Sequence, residues 1–517
     1  MRSALLGSAA AGSWSRTFAA AFGVWLVLGA TWAVASPQFS VPDEPAHVVR
    51  AASVAGGELL GTRQRTEIPG PPLVVQIEHV VDIPAGLAGA PAQPLCFFAF
   101  RGPADCIVPL EPAPGEVQAV TTAGAYQPLF YALVGWPLRL LDPVPGLIGA
   151  RMVHAVIGAL FLAIAFATAW DLGGWRFLAV LSVTVTPITV YLLGGVNPSG
   201  LEIAAALACW TSVLALLSRP SRRYGILAAL SLVTLAWTRP LSPLIAVGIV
   251  IALVVGVATR GRLGQWRRPA VLGGLGTALV GIAGAGIWLV RTAALDAFVG
   301  SPNPDLVGRT ALRVSWGLTR GRLVEMVGNL GWLDTPLPDW LIAVWGLAVL
   351  SVIVSAVVVA TWRQRAVLLA LIGGTLALPV VAETLQAADL GLFWQGRYTL
   401  PVAVGIGVYA GNVLTMEEGW RRLPQWTHGR AWLALPVVGV IGHQTAHMVS
   451  MARYSTGPGT SAVAYLWRGG WTAPLPDVVL AGIVGLACLG LIGLVAFADS
   501  WGIGRHAESG QGVTAGR

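Results

Sequence analysis

Long apolar runs separated by short polar joints make up most of the chain. Runs near 17–35, 148–169, 176–194, 199–217, 224–238, 241–259, 270–290, 339–361, 366–386, 397–415, 430–450 and 476–498 approach or reach the roughly 20 apolar residues that carry a helix across a bilayer. The stretch 126–142 is also apolar, but Pro128 and Pro137 interrupt it and Tyr131, Trp136 and Arg139 punctuate it. It is predicted to lie along the membrane surface rather than to cross. Two polar segments stand out, 36–125 and 291–338. The pattern therefore predicts an all-α polytopic membrane protein of about twelve transmembrane helices, with interfacial helices in two large extracytoplasmic loops. Its main module spans 1–415, with a first loop at 36–147 and a second at 291–338, and 416–517 adds accessory helices and a tail.

Composition agrees. Of 517 residues 55% are hydrophobic and only 11% charged, against about a quarter charged in soluble domains. The net charge of +8 comes from arginine alone, and the arginines are scattered among loops, so no nucleic-acid partner is expected. They act better as a topology signal. With 126–142 left out of the count, Arg176, the Arg219/Arg222/Arg223 cluster, Arg260 to Arg268, Arg363/Arg365 and Arg421/Arg422/Arg430 all fall on the cytoplasmic side, together with both termini. Ala33-Val34-Ala35 resembles a signal-peptidase site, but the run before it continues directly into polar chemistry and is expected to stay as the first span. Cys209 and Cys488 sit in apolar runs. Cys96 and Cys106 share the first loop and are expected to form a disulfide in an oxidising compartment.

The first candidate for chemistry is Pro42-Asp43-Glu44-Pro45-Ala46-His47, just after the first span. Ionisable groups at a membrane surface are costly to keep there without a function. Asp43 suits a helix N-cap, with Pro45 in the first turn, and His47 follows at i+4. A cap explains one acid. The second acid and the histidine point to a carboxylate general base, or to a divalent cation (Mg or Mn) held by Asp43 and Glu44.

Further candidates share that side of the membrane. Asn197-Pro198-Ser199-Gly200-Leu201-Glu202 is an apt turn, yet Glu202 would stand just inside the next span, where an acid points into a bundle or a wet cavity. Gln395-Gly396-Arg397-Tyr398 places an arginine at a span entrance, suited to clamping a phosphate, with Glu383 and Asp389 nearby. Arg309, Arg313 and Arg320 form a stripe around Trp316, opposite Ala311, Val314 and Leu318, as in an interfacial helix with a basic side. They are expected to join Arg397 in one anion site. Asp334, in Gly331-Trp332-Leu333-Asp334-Thr335-Pro336-Leu337-Pro338, is read as part of a defined loop. His443 and His447 lack a third ligand and are read as packing residues, and the outward loop 451–475 holds Arg453, Tyr454 and Arg468.

In this order, Pro-Asp-Glu-Pro-Ala-His, Asn-Pro-Ser-Gly-Leu-Glu, Gly-Trp-Leu-Asp-Thr-Pro-Leu-Pro and Gln-Gly-Arg-Tyr resemble a family of polytopic bacterial membrane proteins over about residues 36–415. That family is similar to the GT-C class of membrane glycosyltransferases, which includes protein O-mannosyltransferases, aminoarabinose transferases and the oligosaccharyltransferase catalytic subunit. The resemblance implies a GT-C-like fold in the plasma membrane and an acidic pair at Asp43-Glu44. It implies a second acidic or amide position at Asn197 or Glu202, although Ser199 stands where the family pattern often has Asp. It also implies a polyprenyl-phosphate sugar donor and a cell-envelope glycan, lipid or protein acceptor, with Asp43 as base and Arg397 at the leaving phosphate. Two other classes remain open: a transporter or flippase for a lipid-linked glycan, and a non-catalytic membrane subunit of envelope glycan assembly. A transporter would distribute its charges through the midplane and usually show an internal repeat, and no repeat is visible.

Overall fold

A computed structural model describes residues 2–70, 73–90, 94, 102–257, 267–296, 299–416, 421–422, 430–467 and 469–497. The chain is mostly helical. Helix α1 (Arg2–Ala35) leads into α2 (Glu44–Ala55), and two short helices, α3 (Pro128–Val134) and α4 (Pro137–Leu140), precede α5 (Pro143–Gly173). Then follow α6 (Trp175–Thr184), α7 (Pro187–Leu193), α8 (Pro198–Ser218), α9 (Arg222–Ala236), α10 (Ser242–Val257) and α11 (Pro269–Thr292). The second half holds α12 (Gly308–Gly317), α13 (Thr319–Gly328), α14 (Asp339–Val359), α15 (Trp362–Leu390), α16 (Gly396–Thr415), α17 (Ala434–Thr456) and α18 (Asp477–Phe497).

Eight of these, namely the Gly12–Ala35 part of α1, α5, α8, α11, α14, α15, α16 and α18, are long and apolar enough to cross a membrane. The α6–α7 pair makes a ninth if counted as one span, and it is bent by 75°. The run 176–194 was expected as one straight helix. Pro187 lacks the N–H that would continue α6 and disfavours helical backbone at Thr186. Among the described residues α9 and α10 are shorter, and α3 and α4 fall far below spanning length, as their prolines predict.

Helix α8 is the buried centre, packed against α5, α9, α10 and α16. The α8–α16 contact is close enough that a Cβ on Gly405 would stand 2.3 Å from the Trp210 ring, and Trp210 Nε1 donates to the Pro401 carbonyl at 3.1 Å. Asn197 caps one end of α8, while at the other Arg219 donates to the Asp171 carbonyl at the end of α5. Helix α18 packs on α1 and α17, and α17 on α6 and α14, so 434–497 belongs to the same packed body as the helices before it.

The first loop departs from the all-helical expectation. Strands β1 (Thr62–Ile68), β2 (Val74–Pro84) and β3 (Glu116–Thr121) form an antiparallel sheet, with β2 central. A fourth strand, β4 (Val299–Gly300), comes from the second loop and pairs with Val75 and Gln76 of β2. Alternation in Thr62-Arg63-Gln64-Arg65-Thr66-Glu67-Ile68 was a strand signal overshadowed by the membrane pattern. Helix α2 lies on this sheet, where Thr121 Oγ1 donates to the Ala46 carbonyl at 2.7 Å. A hairpin, β5 (Asn329–Leu330) and β6 (Thr335–Pro336), closes the second loop, its turn carrying Gly331 and Leu333 at positive φ.

Candidate active site

The segment between α1 and α2 is fixed from every side. Arg151 donates to the carbonyls of Ser36 at 2.7 Å, Pro37 at 2.8 Å and Ala33 at 3.3 Å. Trp332 Nε1 reaches the Phe39 carbonyl at 3.0 Å, and the Tyr191 and Tyr454 hydroxyls donate to that of Ser40 at 2.9 and 3.2 Å. Asn197 Nδ2 donates to the Pro42 carbonyl at 2.7 Å while its Oδ1 accepts from Ser199 N at 2.9 Å. Five residues from separate parts of the chain, Asn197 and Trp332 of two motifs among them, thus converge on this short segment. The result is a left-handed backbone at two non-glycine positions, Phe39 (φ 61°) and Asp43 (φ 59°), a conformation that costs about 1–3 kcal/mol and persists where the surroundings dictate it.

The three polar residues of the first motif part ways. Glu44 is wholly buried: its carboxylate accepts from Arg151 Nε and Nη2 at 2.7 and 2.6 Å and from Val196 N at 2.9 Å. His47 is buried in the loop domain with Nδ1 3.0 Å from the Tyr131 hydroxyl, and burial pushes its imidazole down to about 3, so it is neutral at ordinary pH. Asp43 occupies the N-cap position of α2 but makes no capping bond. Its carboxylate, 44% exposed, pairs instead with Arg397. Asp43 and Glu44 therefore do not face a common ion, since the Glu44 oxygens are already engaged by Arg151 and Val196. Among the described residues no group of three or more His, Cys, Asp or Glu is placed to share a metal ion.

Asp43 opens into a cavity of about 830 Å³ whose polar wall also includes Tyr126, Glu202, Arg239, Glu325 and Tyr398. Glu202, 1% exposed, accepts from Arg239 at 3.1 Å and from Ser242 Oγ at 2.6 Å. The Arg239 guanidinium lies 4.4 Å from the Tyr398 ring centre, and that of Arg397 lies 5.2 Å from it, cation–π contacts that hold both cations over one aromatic. Arg397 Nη2 serves Asp43 and, at 3.3 Å, the Tyr398 hydroxyl, whereas its buried Nε and Nη1 have no partner. Unsatisfied buried donors are expensive, and Arg397 carries two of them while reaching the cavity through its pair with Asp43, which lines the wall.

The loop that presents Arg397 is pinned by acids. Glu383 accepts from Trp394 N at 2.8 Å and Glu325 from Gly396 N at 2.7 Å. A Cβ on Gly396 would sit 2.4 Å from the Arg322 carbonyl, so the close approach requires glycine. Burial raises the Glu325 carboxyl above its usual range, although the Gly396 N–H and the Arg322 and Arg397 cations oppose the shift. An apolar flank of Leu241, Leu244, Ile245, Leu378, Phe393 and Trp394 completes the cavity, and Gln76 and Glu78 of β2 wall it from the sheet side.

The expected basic stripe does not join this site. Arg309, Arg313 and Arg320 are exposed and do not line the cavity, while the inward positions are Ala311, Ser315 and Arg322, with Leu318 outside at 42% exposed. Arg322 pairs with Glu383, which also accepts from Ser315 Oγ at 2.8 Å, and Asp389 is exposed. Asp334 turns to Arg453 at 2.7 Å, leaving Trp332 and Leu333 to line the cavity. His443 packs edge-on against Trp25 and Trp345, and His447 against Trp32. Cys106 is disulfide-bonded and Cys209 and Cys488 are free; Cys96 and Arg468 lie outside the described residues.

Sequence reasoning missed Arg239, Glu325 and Arg151. Arg239 is a lone cation in the short joint between two apolar runs, and Arg151 is a charge inside a predicted span, each a signal in its own right.

Apolar spanning helices around a polar cavity at one end of the bundle define a polytopic membrane protein. Residues 26–406 match the family described as predicted membrane protein (DUF2142), and the chain belongs to that family. No curated protein and no solved structure matches it.

Proposed function

We propose that the protein is a GT-C-like membrane glycosyltransferase of twelve spans, with both termini cytoplasmic and the Asp43 cavity opening to the extracytoplasmic side of a bacterial plasma membrane. Its donor is a sugar on a polyprenyl phosphate, and its acceptor a hydroxyl of a cell-envelope glycan, lipid or protein. The observation that carries this reading is the Asp43–Arg397 pair: a carboxylate held in strained backbone and open to a cavity, beside a buried guanidinium with two donors to spare. Asp43 takes the proton of the acceptor hydroxyl as its oxygen attacks the anomeric carbon. The carbon–oxygen bond to phosphate breaks and the lipid phosphate leaves with the electron pair. Its charge falls to Arg397 and Arg239, preorganised by Tyr398 and Glu202. No step is assigned to Mg or Mn. Leu244, Ile245 and Leu378 offer the apolar contact a prenyl chain needs. Charges gathered at one end of the bundle favour this reading over a transporter, which would spread them along the path.

The test is transfer of label from radioactive polyprenyl-phosphate sugars in membranes containing the full chain. Wild type labels an envelope fraction, and Asp43→Asn loses about 10²–10⁴-fold, the usual share of a general base. Undiminished transfer in Asp43→Asn removes the base, and absence of transfer from every donor tried removes the reading.

A further inference from the structure

The basic stripe left out of the Asp43 cavity stands near a second one, to which α13 contributes Leu323. Arg309 and Arg313 of α12 and Arg320 of α13 are exposed, as are Leu312 (48%), Trp316 (60%) and Leu323 (44%). Beside them a second cavity of about 390 Å³ runs into the helical body, walled by Leu323 and Met326 of α13, Val349 and Ile353 of α14, Leu376 of α15 and Val404 of α16. Arg320 and Leu323 stand three apart on α13, so they share one helix face. The cation lies a single turn from the rim of an apolar slot. The slot's walls begin about two turns inside α14 and about one turn inside α16, counted from the ends that adjoin α13. Charge at the rim and hydrocarbon below match the cross-section of a lipid monolayer.

We propose that this surface binds an anionic phospholipid of the surrounding bilayer, with its phosphate on Arg320 and Arg313 and one acyl chain in the slot. The commitment to an anionic lipid follows from the charge, because the stripe presents three guanidinium groups on the exposed faces of α12 and α13 and no carboxylate of these helices shares them: Glu325 is turned to Gly396. The site is independent of the Asp43 cavity, which lies on the Glu325 side of α13.

The full chain is purified, placed in nanodiscs of mixed phosphatidylglycerol and phosphatidylcholine, re-extracted in detergent and washed, and the retained lipid is quantified. Phosphatidylglycerol is expected to be retained over phosphatidylcholine. Arg320→Gln lowers that retention about fivefold, the effect of one cation at a lipid surface. Gly346→Phe blocks the chain: Gly346 lines the slot and a Cβ there meets nothing within 4 Å, so the ring fills the space without disturbing the fold. Equal retention of both lipids, unchanged retention in either variant, or retention of added polyprenyl phosphate in place of phosphatidylglycerol each overturn the proposal. None of these outcomes bears on transfer at Asp43.

Discussion

Asp43 and Glu44 are adjacent carboxylates, each paired with an arginine that is nearly wholly buried, yet their surroundings differ in kind. Around Glu44 both partners are sealed, at 0% and 2% exposure, and all the guanidinium nitrogens of Arg151 are used: Nε and Nη2 on the carboxylate, Nη1 and Nη2 on carbonyls of the preceding turn. Around Asp43 the carboxylate is 44% exposed and Arg397 keeps two nitrogens without partners. A sealed and saturated pair fixes the chain, because nothing can enter and nothing is left over to bind. An open and unsaturated pair has capacity for a third group. The first pair also creates the second, since Arg151 and Glu44 together hold the turn that forces Asp43 into its left-handed backbone.

The sharpest way to break this comparison is to remove charge from each acid and follow stability. Glu44→Gln leaves Arg151 buried with its charge uncompensated, which costs about 3–5 kcal/mol, and a lower melting temperature or loss of folded protein in detergent is expected. Asp43→Asn is expected to cost clearly less than Glu44→Gln. The pair it weakens is partly solvated, and asparagine tolerates left-handed backbone well. Equal destabilisation by the two changes contradicts the division between fixing and binding.

How far that division was legible in the sequence follows from the physics of each signal. The spans were visible because burial in hydrocarbon imposes an unbroken apolar run, whereas the bend at Pro187 inside the run 176–194 was not anticipated. Asp43, Glu202 and Arg397 were visible because a charge beside such a run is expensive. What the sequence does not carry is direction. Asp43 and Glu44 are neighbours, and only the left-handed turn and Arg151, more than a hundred residues away, send their carboxylates to different partners. The arginine stripe was misplaced for the same reason, since helical spacing identified a shared face but not which way that face is turned. The sheet was hidden because its short strands alternate weakly beside long apolar runs.

A second measurement sharpens the open side of the comparison. Arg397→Lys keeps one cation for Asp43 but loses the fork that leaves Nε and Nη1 free for a ligand. Transfer is expected to fall by about 10²–10³, equivalent to roughly 2.7–4 kcal/mol in the barrier, while the melting temperature stays near that of wild type. The split matters more than the size. A loss of stability equal to the loss of activity places Arg397 with Arg151, as a residue that only holds the chain together.

A change of pH tests the third member of the motif, which lies on the sealed side. Burial lowers His47 from 6.5 to about 3, with the Arg239, Arg397 and His154 charges acting in the same direction and Asp43 opposing. A base whose folded value is depressed takes up its proton first in the unfolded chain. Stability is therefore full above about pH 6.5 and declines as pH falls towards about 3, by at most about 1.4 kcal/mol per pH unit from this group. His47→Gln keeps a polar partner for Tyr131 and cannot gain the proton, so its melting temperature should fall less steeply between neutral pH and pH 4. Parallel slopes for the two proteins show that His47 is not the neutral, buried group its contact with Tyr131 describes. A selective loss of transfer in His47→Gln at neutral pH, with stability intact, moves it from the sealed side to the open one.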